Sequence, residues 1–122
     1  EVVINGRGRP GCNETSNAIE KGWIKVEKVK DKLAVQSLRE HIGEGEAEAI
    51  ILAKEMDADI ILLDDRKPRK TAKFLGLKVT GTIGLLLLAI EHNIPIDIKK
   101  EIDTLIANGF RISKDLYEKY CL

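Results

Sequence analysis

Four consecutive branched apolar residues, Ile60-Ile61-Leu62-Leu63, run directly into two carboxylates, Asp64-Asp65, with helix-patterned sequence on either side. A continuous apolar run this short suits a strand covered on both faces, as strands of a parallel sheet are. The residues before it, Glu46 to Met56, are alanine-rich, with Ile50, Leu52 and Ala53 forming an inner face, and read as a helix. After it, Arg69 to Leu75 reads as a short helix stopped by Gly76, and Leu77 to Thr80 as a second short strand. Gly81 to Asn93 follows as an apolar helix that ends before Pro95, with the leucines at 85 to 88 expected in the core. Helices alternating with short buried strands predict an α/β domain around a parallel sheet, joined by right-handed crossovers.

The flanks fit one domain spanning residues 1–122, a length that buries a core. On the N-terminal side, a helix is expected from Glu14 to Lys21 with Gly22 as its stop. Trp23 to Val29 alternates apolar and charged residues and suits a strand, and Lys32 to His41 an amphipathic helix. Towards the C-terminus, Asp97 caps a helix that Gly109 stops, and Ser113 caps the last one. The chain opens on Glu1 and the apolar Val2-Val3-Ile4, and Met56 is its only methionine. That opening predicts a further segment upstream, with the first strand of the sheet in it.

Charge and composition remove several function classes. Twenty basic and twenty acidic residues cancel, so affinity for nucleic acid has to come from local clusters. An aromatic content of 4% argues against a surface that stacks many bases. Cys12 and Cys121 lie near opposite ends, and neither they nor His41 and His92 have metal-ligand spacing. Two distant thiols and no signal peptide point to the cytoplasm. The longest apolar run, Ile83 to Ile90, is too short to span a bilayer, so no membrane role is expected.

Chemistry concentrates in the carboxylates. When a helix packs antiparallel to the strand that follows it, the helix begins at the edge where the strand ends. Glu46, in the first turn of its helix, is therefore expected beside Asp64 and Asp65, with Thr80 and Glu44 near the same rim. Several carboxylates at one edge repel one another unless a cation neutralises them, and all-oxygen donors select a hard cation, Mg2+ or Mn2+. Such an ion can activate water and stabilise charge on a phosphodiester. The plainer explanation also stands: acidic residues favoured by a helix dipole, and a strand-to-loop turn.

Gly43-Glu44-Gly45-Glu46-Ala47-Glu48-Ala49-Ile50, then Leu62-Leu63-Asp64-Asp65-Arg66-Lys67, then Val79-Thr80-Gly81-Thr82 together resemble an uncharacterised subfamily of PIN-domain proteins. Ala107 to Ser113 with Leu116-Tyr117 is similar to the same group, so the resemblance covers most of the chain. It implies a three-layer α/β/α fold and metal-dependent cleavage of single-stranded RNA, in many members as the toxin of a toxin–antitoxin pair. An antitoxin and a second copy of the chain are then the expected protein partners. By the same resemblance Glu46, Asp64 and Asp65 are catalytic and metal-binding, and Glu1 matches an earlier helix glutamate. The aspartate that the family carries on its first strand has no counterpart here, so activity is expected of the full-length protein.

Two basic features remain. Arg66, Lys67, Arg69, Lys70 and Lys73 follow the acidic pair and read either as a solvated face or as a grip on phosphates. Gly6-Arg7-Gly8-Arg9-Pro10-Gly11 spells G-x-G-x-x-G, and permits a nucleotide-binding fragment, a mobile basic loop, or phosphate contacts by Arg7 and Arg9. A third possibility for the whole chain is a non-catalytic module that binds nucleic acid or a partner protein.

Overall fold

The computed structural model describes residues 7–122. Seven helices and two short strands occur among them: α1 (Cys12–Glu20), α2 (Lys32–Arg39), α3 (Glu44–Glu55), β1 (Ile61–Leu62), α4 (Arg66–Phe74), β2 (Val79–Thr80), α5 (Thr82–Glu91), α6 (Ile98–Ala107) and α7 (Lys114–Cys121). The strands pair in parallel, Ile61 opposite Val79 and Leu62 opposite Thr80, and α4 makes the crossover. This is an α/β domain.

Helix α3 is the hub. Its Ala47 and Ile50 are fully buried, and with Ile51 and Ala53 they meet Val35 of α2, Ile61 and Leu63 around β1, and Ala72 of α4. Its C-terminal end ties two neighbours through polar contacts. The Glu55 carboxylate accepts the backbone N–H of Lys30 at 2.7 Å, ahead of α2, where negative charge meets the positive end of that helix. Lys54 Nζ donates to the Leu75 carbonyl at 3.0 Å and satisfies an orphan acceptor at the end of α4. The C-terminal helices form a second packing group in which α6 contacts both α5 and α7 around the fully buried Ile102.

Capping follows the sequence closely. Asp97 accepts from Lys100 N at 3.2 Å and Ser113 from Leu116 N at 3.3 Å. Gly76 and Gly109 adopt φ of 85° and 95° just past α4 and α6, a region that costs a side chain strain.

Three expectations are corrected. The run at 60–63 alternates: Ile61 and Leu63 are buried, whereas Ile60 and Leu62 are about half exposed, because α3 covers only one side of β1 among the described residues. Trp23 to Val29 forms no strand, since no described segment pairs with it, and Trp23 is 83% exposed. The leucines at 85 to 88 are not core: no residue of α5 is fully buried, and Leu85 and Leu88 are exposed, because α6 is the one described element that packs extensively on that helix. Among the described residues, no helix is long and apolar enough to cross a membrane.

Candidate active site

Glu46 and Asp65 reach one cleft by the route the helix–strand geometry dictates. Helix α3 starts at Glu44, at the edge where the chain leaves β1, so its first turn stands over the turn into α4. Glu46, Asp65 and Lys67 line an open cleft of about 420 Å3, together with Arg39, His41 and Pro68. Asp65 occupies the N-cap position of α4 in extended conformation, but its side chain makes no capping hydrogen bond, so its oxygens are open to a ligand. Glu46 is engaged: its Oε2 accepts the Gly43 N–H at 3.1 Å. That is half of a capping box, since glycine has no side chain to return the bond. The Gly-x-x-Glu spacing was readable in the sequence; that its carboxylate turns back on its own helix was not.

Asp64 behaves differently from its neighbour. Its Oδ1 accepts Thr82 N at 2.8 Å and its Oδ2 accepts Thr82 Oγ1 at 2.6 Å, so both oxygens serve the first residue of α5. The close approach depends on Gly81, where an added Cβ would sit 3.0 Å from Asp64 Oδ1 and 3.7 Å from an Arg69 guanidinium nitrogen. Thr82 is the partner that sequence reasoning missed; a threonine following a helix-start glycine was its only signal.

The expected rim of three or four crowded carboxylates is therefore a correction. No set of three or more His, Cys, Asp or Glu side chains close enough to hold a metal ion occurs among the described residues. The reason is local hydrogen bonding: Glu46 caps α3, Asp64 holds Thr82, and Glu44 lies 3.4 Å from Arg39 in an exposed ion pair. Thr80, half-buried, donates to the Gly81 carbonyl at 3.3 Å and packs on Gly84, where any Cβ would collide with its Oγ1. Glu1 lies outside the described residues. The donor chemistry of Glu46 and Asp65 fits a hard cation, but these two do not complete its ligand set.

Beside the cleft, α4 is strongly two-sided. Pro68 and Ala72 are buried, while Arg66, Lys67, Lys70 and Lys73 are exposed and Arg69 is half-buried. Arg7 and Arg9 stand exposed in the turn ahead of α1, on which no other described element packs extensively. The dinucleotide reading of that loop needs a strand after α1, and the segment after α1 forms none.

Away from this edge, one polar cluster ties α6 to α7. Asp103 accepts from Lys99 Nζ at 2.6 Å and from the Tyr117 hydroxyl at 2.7 Å. The hydrogen bond from Lys99, then that from Tyr117, holds the Asp103 carboxyl below the usual carboxylate range. The bond to Asp103 in turn raises both Lys99 and Tyr117 above their ordinary values.

No curated protein and no solved structure matches the chain. A family model described as a PIN domain, DUF3368, matches residues 1–121. PIN domains have a nuclease-type, nucleic-acid-related function and are generally dependent on divalent metal. With nearly its whole length matched, and a parallel sheet ending in acidic residues, this chain belongs to the PIN-domain family.

Proposed function

We propose that the full-length protein is a metal-dependent ribonuclease that hydrolyses phosphodiester bonds of single-stranded RNA in the cytoplasm. The observation that carries this reading is the cleft shared by Glu46 and Asp65, with Lys67 on its wall and the exposed cations of α4 beside it. Carboxylates for a hard cation next to lysines and arginines for a polyanion are the two things phosphodiester hydrolysis requires. Mg2+ or Mn2+, when bound, would supply charge neutralisation and water activation there. Glu46 and Asp65 would hold it directly. Asp64 would contribute through its place beside Asp65, and Glu1 is the further donor that the family resemblance suggests. Arg66, Lys67, Arg69 and Lys70 would grip backbone phosphates, which gives salt-dependent binding without base specificity. The three-layer architecture and a further strand bearing an aspartate belong to the same proposal. So does the role of toxin beside an antitoxin, under which expression of the full-length protein arrests growth unless a partner protein is supplied.

The test is degradation of single-stranded RNA by the full-length protein with Mn2+. Activity should disappear with chelator and with Asp65→Asn. Unchanged degradation by Asp65→Asn would remove the catalytic assignment.

One observation favours a second reading, a non-catalytic module that binds RNA or a partner protein: Glu46 is spent on its own helix cap. Salt-sensitive RNA binding with no cleavage at any Mn2+ concentration would select it.

A further inference from the structure

A second cleft adjoins the one that holds Glu46 and Asp65. It measures about 430 Å3, within the range of small-ligand sites, and Arg39 lines both. One wall is a single stripe of α2, with Lys32, Val35, Gln36 and Arg39 at i, i+3, i+4 and i+7. Glu44 and Glu48, four apart on α3, form a second wall, and the stretch at 27–29 ahead of α2 adds a third. Val35 is buried and Val29 half-buried, so the floor is apolar. Charge decides what such a cleft can hold. Lys28, Lys32 and Arg39 are matched by Glu27, Glu44 and Glu48, so the described lining has no net charge and does not select a phosphate. An apolar floor rimmed by donors and acceptors suits a flat, neutral, polar group instead. Gln36 is the one uncharged polar side chain among the described lining residues, and its exposed carboxamide offers a donor and an acceptor side by side.

We propose that this second cleft is a nucleobase subsite of the proposed ribonuclease. With one phosphate of the RNA at the Glu46–Asp65 cleft, the base of an adjacent nucleotide lies over Val29 and Val35, and Gln36 reads its edge. Arg39 holds the phosphate between the two clefts. Its ion pair with Glu44, 3.4 Å long and half-exposed on both sides, is of the weak surface kind, so the guanidinium is free to exchange partners. The inference rests on reading the first cleft as the place of phosphodiester hydrolysis. It goes further, because cations that grip phosphates along α4 carry no sequence information, whereas a base subsite makes substrate choice depend on sequence. A glutamine carboxamide makes a bidentate pair with adenine, its nitrogen donating to N7 and its oxygen accepting from the N6 amine. Adenine is therefore the expected base.

Fluorescence anisotropy of labelled RNA in the presence of chelator tests this, because binding is then read without cleavage. The full-length protein should bind hexauridylate carrying one internal adenine about tenfold more tightly than hexauridylate itself, the discrimination expected of one bidentate base contact. Gln36→Ala, at an exposed helical position that accepts alanine, should keep the circular dichroism of the parent and bring the two oligonucleotides to the same affinity. Arg39→Ala should weaken both. Equal affinities in the parent overturn the proposal, as does a preference that survives Gln36→Ala or one for cytosine over adenine. Absence of binding up to about 1 mM overturns it too, since association weaker than that is negligible. Adding Mn2+ then tests the underlying reading separately. Adenine-selective binding without cleavage removes the nuclease and leaves the subsite, whereas cleavage without base preference removes the subsite and leaves the nuclease.

Discussion

Thr82 is bound twice by Asp64, through its backbone N–H at 2.8 Å and its hydroxyl at 2.6 Å. The pair joins the end of β1, which belongs to the core around α3, to the start of α5, which belongs to the C-terminal helical group. Asp64 thus acts as an N-cap supplied from another element, and its loss exposes an orphan N–H at the head of α5. Asp64→Ala should cost about 1–2 kcal/mol in urea unfolding, the range of a lost helix cap, whereas Thr82→Ala, which keeps the capped N–H and loses only the hydroxyl bond, should cost about 1 kcal/mol or less. Asp64→Asn, which keeps one acceptor for the Thr82 N–H, should lose less than Asp64→Ala. Equal losses in the two variants would contradict the capping role.

Glu46 separates capping from metal binding. Glu46→Gln keeps an oxygen for the Gly43 N–H but loses the charge, so its stability without metal should stay within about 0.5 kcal/mol of the parent. Thermal stabilisation by Mn2+ should fall sharply in the same variant. If Mn2+ stabilised parent and variant alike, Glu46 would be a cap and nothing more.

Helix α4 should dominate the salt dependence of RNA binding. Removing Lys67 and Lys70 together should lower the slope of log affinity against log salt by about 0.7 for each cation on single-stranded RNA. Replacing Arg7 and Arg9 gives the comparison, and a slope that moved only with these two would relocate the phosphate contacts to the loop.

Gly84 and Thr80 are coupled by contact, because a Cβ at Gly84 meets Thr80 Oγ1. Gly84→Ala gains about 1 kcal/mol of helix propensity and loses about 1–3 kcal/mol to overpacking, so destabilisation wins. Thr80 then has to turn about χ1 and abandon its bond to the Gly81 carbonyl. Adding Thr80→Ala should recover stability relative to Gly84→Ala alone, and a stabilised single variant would show that the contact yields freely.

The tie between α6 and α7 should respond to pH at both extremes. The Asp103 carboxyl is depressed in the folded protein, so its contribution is present above the unfolded value of about 3.9 and is lost as pH falls through the lower folded value. Lys99 and Tyr117 are raised, so theirs are complete below the unfolded values of about 10 and are lost as pH rises through the higher folded ones. Tyr117→Phe should therefore lower the melting temperature at neutral pH, by a small amount because water reaches these half-exposed groups and screens them, and the difference should shrink at pH 2. A difference that persisted unchanged at pH 2 would assign the effect to packing alone.

By itself the sequence determined what local chemistry controls. The crossover from the apolar run through α4 to Val79-Thr80, and the caps at Asp97 and Ser113, follow from periodicity and from short-range hydrogen bonding. The shared edge of Glu46 and Asp65 also followed, since a helix and the strand after it fix each other's ends. Tertiary structure decided where each charged group spends its hydrogen bonds and which apolar faces find a cover. Adjacent aspartates part company because only Asp64 lies within reach of Thr82, eighteen residues on. Leu62 and Leu85 read as core, yet stay exposed because the neighbours around them leave those faces uncovered. Periodicity reports a residue's preference for burial, whereas burial itself needs a second surface, and that is settled by packing at long range.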